Sequence, residues 1–140
     1  MPVEYEQAVK NLKQSEPDIK SVVIVEDEPD NIVFSTEDWD LNEDIEKIIN
    51  IWDSQHGKSF TIDDKKYSIL QSTPERLVAT SIKGEGHIVG AKDDERRVIS
   101  LADPKGNILT AYTATARALK SMSSKEPYLN AKAKLGKDIS

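Results

Sequence analysis

Catalysis and metal binding draw on a short list of side chains, and this chain offers few of them in workable patterns. It has two histidines, His56 and His87, and no cysteine. A metal site or a Ser-His-Asp triad would have to be built on one of those histidines, and no HxxxH or comparable spacing surrounds either. Both read as surface or turn residues, with His87, just after a glycine turn, also a candidate contact residue. Gly84-Glu85-Gly86 is a lone GxG. A phosphate-binding loop needs a helix N-terminus directly after it, and here the pattern continues as a strand, so the glycines serve a tight hairpin. The carboxylates Glu26, Asp27, Glu28 and Asp30, with Glu37, Asp38 and Asp40, lack the alternating spacing of a calcium loop and read as solvated turns. The expectation is a protein without catalytic activity, cofactor or metal.

Bulk composition narrows the class further. One hundred and forty residues, 37% hydrophobic, suffice for one domain with one core. The net charge of −6 argues against nucleic acid as a partner, because phosphate backbones need clustered positive charge. No run is long enough to span a bilayer, and the N-terminus lacks an apolar signal core. A soluble cytoplasmic protein in a reducing compartment is expected. The charge is uneven. Residues 1–60 hold 15 acids and 5 bases, residues 61–122 hold 8 and 10, and residues 123–140 hold 2 and 4. The acidic half and the mildly basic half suit either a solvated surface or a basic face for an acidic partner.

These residues need a scaffold, and hydrophobic periodicity supplies one. Tyr5, Ala8, Val9 and Leu12 predict a helix over 4–14, ended by Pro17. Ile19 and Val22 to Val25 make a buried strand, and Ile32 to Phe34 pair with it as a hairpin. Asp40 and Glu43 are spaced as a capping box for a helix through Leu41, Ile45, Ile48, Ile49 and Trp52, with Gly57 as its C′ residue. Trp52 belongs to the core. Trp39 suits a hydrophobic staple or an interface aromatic. Strands are predicted at 59–62, 66–72, 76–83, 86–92 and 96–102, split by Asp63-Asp64, Pro74, the GEG turn and Asp93-Asp94-Glu95. Ile108, Leu109, Tyr112, Thr115, Leu119 and Met122 predict a last amphipathic helix. The fold class is α+β: a seven-stranded antiparallel meander with N- and C-terminal helices packed on it, one domain over 1–122, and a polar extension over 123–140.

Three segments, FTIDDKKYSILQ, RLVATSIKGEGHIVGAKDDERRVIS and ADPKGNILTAYTATARAL, resemble in order the later strands and final helix of profilins. SVVIVEDEPDNIVFST and the helix from Leu41 match the first half of that order, so the resemblance spans about residues 4–122. The departures from eukaryotic sequences point to distant relatives such as the profilins of Asgard archaea. The resemblance implies a monomeric, cytoskeleton-associated protein that binds actin monomers and regulates polymerisation by sequestering or delivering them.

Carried over residue by residue, the implied actin face is Lys66, Ser68, Leu70, Thr80, Lys83, Glu85, His87 and Lys92, with Gly106, Leu109, Thr113 and Ala114 from the last loop and helix. Thr80 stands where plant-type profilins have Arg, and Thr113-Ala114 where some animal forms have Tyr-Glu. The family's polyproline site needs a ladder of rings for an extended proline helix. Tyr5 and Tyr112 are its counterparts here, and Val33 replaces the strand tryptophan. Phosphoinositide binding would rest on Arg96 and Arg97. A rival resemblance, carried by RRVISLADPKGNILTAYTATARAL, is to roadblock/longin modules that scaffold or regulate small GTPases. That fold has five strands, where seven are counted here.

Overall fold

In the computed structural model, which describes residues 4–27, 30–36 and 39–123, the order is α1 (Tyr5–Ser15), β1 (Ile19–Asp27), β2 (Asp30–Ser35), α2 (Ile45–Ser54), β3 (Ser59–Ile62), β4 (Lys65–Thr73), β5 (Arg76–Ser81), β6 (His87–Lys92), β7 (Arg96–Ala102) and α3 (Ile108–Ser121). The type and order of every element match the expectation. The extension from 124 onward, and the tip of the first hairpin at 28–29, lie outside the described residues.

All seven strands form one antiparallel sheet ordered β2-β1-β7-β6-β5-β4-β3. Only β3 to β7 follow one another as a meander. The first hairpin instead joins the far side through β1, which pairs with β7 from Ile19↔Ala102 to Glu26↔Arg96. β1 is therefore an interior strand with both faces covered, which is why its sequence is a continuous apolar run. Val22 and Ile24 enter the core under α1 and α3, while Val23 and Val25 enter a second core under α2. The same alternation splits Val98 from Ile99 on β7 and Val89 from Ile88 on β6.

Two helix ends differ from the sequence reading. Asp40 does not cap α2. Its carboxylate accepts from the Asn42 backbone N–H at 3.0 Å and side-chain amide at 2.7 Å, closing a local turn that delays the helix to Ile45. These bonds hold the Asp40 carboxyl below its usual range. At the other end Gln55, not Gly57, takes the left-handed conformation, with φ of 59°. Of the two readings of Trp39, the interface one is excluded: the side chain is buried in the α2-side core. Trp52 is fully buried, and its indole N–H donates to the Thr73 carbonyl at 2.8 Å.

Turn chemistry sets the registers that matter later. Asp63 and Asp64 both have positive φ, 51° and 64°, the two-residue hairpin that matches strand twist. Gly86 has φ of +141°, and a Cβ there would sit 2.9 Å from the Ala102 carbonyl, so only glycine lets β6 start against β7. No helix of the described residues is long and apolar enough to cross a membrane.

Candidate partner-binding site

The sheet is wider than the helices that cover it. On one side α3 packs on β6 and β7, and α1 packs on β1 and α3. Beyond Val78, which is buried, the strands β5 and β4 keep half-buried or exposed side chains on that side. Thr80 lies there, two residues from Val78 of the α1/α3 core. Ser68 is its partner in β4 and His87 its partner in β6, so Ser68, Thr80 and His87 form a row across three strands. Ser59, the partner of Ser68 in β3, continues the row, and Lys66, two residues from Ser68 along β4, is an exposed cation on the same side. A bulge between Ile69 and Gln71 leaves Leu70 without a register partner in β5, and it is 59% exposed.

The β5–β6 hairpin borders this surface. The Gly84 N–H donates to the Ser81 carbonyl at 3.1 Å, which puts Ile82 and Lys83 at the centre of the turn. Turn centres are normally polar. Ile82 nevertheless stands 81% exposed there, and nothing in the strand pattern had singled it out. Glu85 turns away from the row: it accepts from Ser81, on the α2 side of β5, at 3.4 Å. Burial first, and then the charges of Glu85 and Asp63, hold the Tyr67 hydroxyl above its usual pKa on that same side.

His87 ties the row to the loop before α3. Its Nδ1 is 2.8 Å from the Thr80 hydroxyl and its Nε2 3.1 Å from the Pro104 carbonyl. The loop is also braced from β1 and the residue before it: the Asp103 N–H donates to the Asp18 carbonyl at 2.8 Å, and its carboxylate meets Lys20 at 3.2 Å. Asp103 further accepts from the Lys105 backbone N–H at 2.9 Å, the largest reason its carboxyl lies below its usual range. A Cβ on Gly106 would stand 2.8 Å from the Asp18 Cβ, so this glycine serves close approach to β1. Asn107 then caps α3 by accepting from the Thr110 N–H at 3.0 Å.

The expected face thus divides. Lys66, Ser68, Leu70, Thr80, Lys83 and His87 share the open strands and their hairpin. Leu109, Thr113 and Ala114 line a notch on the flank of α3 that faces α1, together with Ser15, Glu16 and Arg117. The α3 residue facing the open strands is Tyr112, whose ring lies 4.2 Å below the Arg76 guanidinium of β5. Lys92 does not join: it sits at the other end of β6 from His87, paired with Arg97 and alternating onto the α2 side.

No family model matches the chain. Among curated proteins, Odin profilin of Odinarchaeota yellowstonii (strain LCB_4) is 30% identical over 93 residues, 66% of this chain and 76% of the relative. Thor profilin of Thorarchaeota archaeon (strain AB_25) is 30% identical over 101 residues, 70% of this chain and 78% of the relative. The chain belongs to the profilin family. The solved LokiProfilin2/rabbit actin complex shares its fold at a TM-score of 0.78 and 22% identity, covering 86% of this chain and 96% of that one. The roadblock/longin reading falls away, as the seven-stranded sheet already indicated.

Two pairs of residues carried over from the profilin resemblance do not share one place in the fold. Arg96 and Arg97 form no shared phosphate site, because neighbouring strand residues point to opposite faces. Arg96 is buried, donates to the Met122 carbonyl at 2.7 Å and lies 5.9 Å from the Tyr5 ring centre. Arg97, buried on the α2 side, meets the Asp53 carboxylate at 3.0 Å and stacks over Trp52 at 5.0 Å. Both guanidiniums are committed to the fold. Tyr5 and Tyr112 are not one aromatic floor either. Tyr5 sits near the C-terminal end of α3, where its hydroxyl donates to Glu26 at 2.6 Å. Tyr112 lies about 15 Å earlier along that helix, over β5. Burial, then the bond to Glu26 and its charge, raise the Tyr5 pKa.

Proposed function

We propose that this profilin binds actin monomers through the open surface of β4, β5 and β6, and thereby regulates polymerisation by sequestering or delivering monomers. It acts as a cytoplasmic, non-catalytic monomer. The observation that carries the reading is the row Ser68–Thr80–His87, left uncovered where the sheet runs past α3 and flanked by the exposed Lys66 and Lys83. The described residues include three large hydrophobics that are exposed, Leu70, Ile82 and Leu109, and all three border this surface or the adjoining start of α3. Apolar anchors ringed by polar and basic groups are the anatomy of a protein interface. The lysines complement an acidic partner and raise its encounter rate. The likeness to a profilin solved in complex with rabbit actin supports the choice of partner.

The test is assembly of pyrene-labelled actin with excess protein, beside a Lys66→Glu/Lys83→Glu double variant. Slower assembly that the variant relieves is the expected result. Unchanged assembly with every actin tried, including one from an Asgard archaeon, removes the proposal and leaves the fold assignment intact.

A further inference from the structure

An open sheet has two edge strands, and this one guards them differently. β3, at one end, is four residues long, with Lys58 before it and Lys65 and Lys66 across its hairpin. A short strand beside lysines is a protected edge. β2, at the other end, is six residues long and runs Ile32, Val33 and Phe34 in succession, with no lysine and no proline. β1 pairs with one side of it, and among the described residues no strand pairs with the other. A bulge opposite Ile24 and Val25 leaves Val33 without a register partner. Val33 and Phe34 lean on the α1/α3 core and Ile32 on the α2-side core, and all three stay half-buried because the sheet stops there. The sequence around this edge is strongly one-signed. Residues 21–46 hold ten acids and no base.

We propose that the outer edge of β2 docks an extended, lysine- or arginine-rich segment of a partner protein, which adds to the sheet as a further strand. The proposal does not depend on the function given above, because β2 and the β4–β6 surface lie toward opposite ends of the sheet and can be occupied together. Strand addition draws its affinity from main-chain hydrogen bonds, and here it also covers the remaining surface of Ile32, Val33 and Phe34. Charge selects the occupant. A one-signed acidic stretch attracts a basic chain and speeds the encounter. The same charge disfavours a second copy of this protein. Antiparallel self-pairing would align β2 with its own reverse and set one acid-rich stretch against another. The edge is thereby closed to itself without lysines, and left open to a basic strand.

The probe is a strand-length peptide of alternating lysine and valine, titrated against the full chain at low salt and followed by amide exchange. Binding that slows exchange within residues 31–35 and leaves β4 unchanged is the expected result. A glutamate-valine counterpart should not bind, and one proline on each edge of the lysine peptide should abolish binding by removing ladder N–H groups. Asn31→Lys/Ser35→Lys places two lysines at exposed positions of the edge. It is expected to weaken binding about tenfold or more, with the melting temperature kept. Glu75→Lys makes the same net charge change on the exposed turn after β4, and is expected to stay within about twofold of wild type. A wild type that does not bind the lysine peptide overturns the proposal. So does a proline peptide that binds as well as its parent, or an Asn31→Lys/Ser35→Lys protein that binds as well as wild type. Equal losses for that double variant and Glu75→Lys mean a general field effect and overturn it too. A wild-type dimer in sedimentation, dissolved by Asn31→Lys/Ser35→Lys, gives the edge to a second copy instead. Full protection of every amide in 31–35 before peptide is added shows an edge already filled, and likewise removes the proposal.

Discussion

The imidazole of His87 is a strut between Thr80 and Pro104. The Pro104 carbonyl can only accept, so Nε2 donates to it at 3.1 Å, while Nδ1 and the Thr80 hydroxyl share a hydrogen bond at 2.8 Å. One ring thereby fixes the open strand row against the loop that launches α3. His87→Phe keeps the volume and removes both bonds. It is expected to cost about 1–3 kcal/mol. Amide exchange should quicken selectively at Asp103 and Gly106. Uniform quickening across the sheet would refute the strut.

The exposed hydrophobics predict a dissociation of stability from binding. Leu70→Asp and Ile82→Asp remove apolar groups that the core does not use, so unfolding free energy should change by less than about 1 kcal/mol. Each should nevertheless weaken the actin-monomer interaction about tenfold. Chemical denaturation and a monomer-binding titration check the pair together, and a large stability loss would mean these side chains are structural.

Gly90 faces the Trp52 ring, and a Cβ there would stand 2.9 Å from its Cζ3 and Cη2 atoms. Both belong to a fully packed core, so neither yields cheaply. Gly90→Ala is expected to destabilise by about 1–3 kcal/mol. A melting temperature equal to wild type would show that the indole can shift.

Asp103 sets a pH dependence. Its folded pKa lies below the unfolded one, chiefly through the Lys105 N–H and then Lys20. Its contribution is therefore complete above the unfolded value of about 4, and is lost as pH falls through the folded one. The melting-temperature gap between wild type and Asp103→Asn should narrow as the pH is lowered below about 4. A gap independent of pH would assign the effect to geometry instead of charge.

The Arg97–Asp53 pair joins β7 to α2 beneath partly exposed solvent. Asp53→Ala removes the carboxylate partner of a buried guanidinium and should cost about 1–3 kcal/mol, less than full burial of both partners would imply because Asp53 is half exposed. Binding to phosphoinositide vesicles should be unaltered by this change. A gain in vesicle binding would revive Arg97 as a lipid contact.

The sequence by itself determined the elements, because hydrophobic period is a local property. β3 and β7 fall at their predicted residues, 59–62 and 96–102, and α3 begins where Ile108 restarts a helical pattern. It also determined the family, through segments quoted in order along the chain. What only the tertiary structure decided was which side of the sheet each residue meets, and who is its neighbour. Strand order is set by long-range pairing, so the placement of β1 beside β7 had no local signal. Arg96 and Arg97 read as a basic pair in sequence, yet the pleat sends one under Tyr5 and the other over Trp52. Leu109 and Thr113 read as part of one face with Thr80, yet the roll of α3 turns them toward α1 and gives that flank to Tyr112. Trp39 shows the same limit: its sequence context suits a staple or an interface aromatic equally, and only the fold places it in a core.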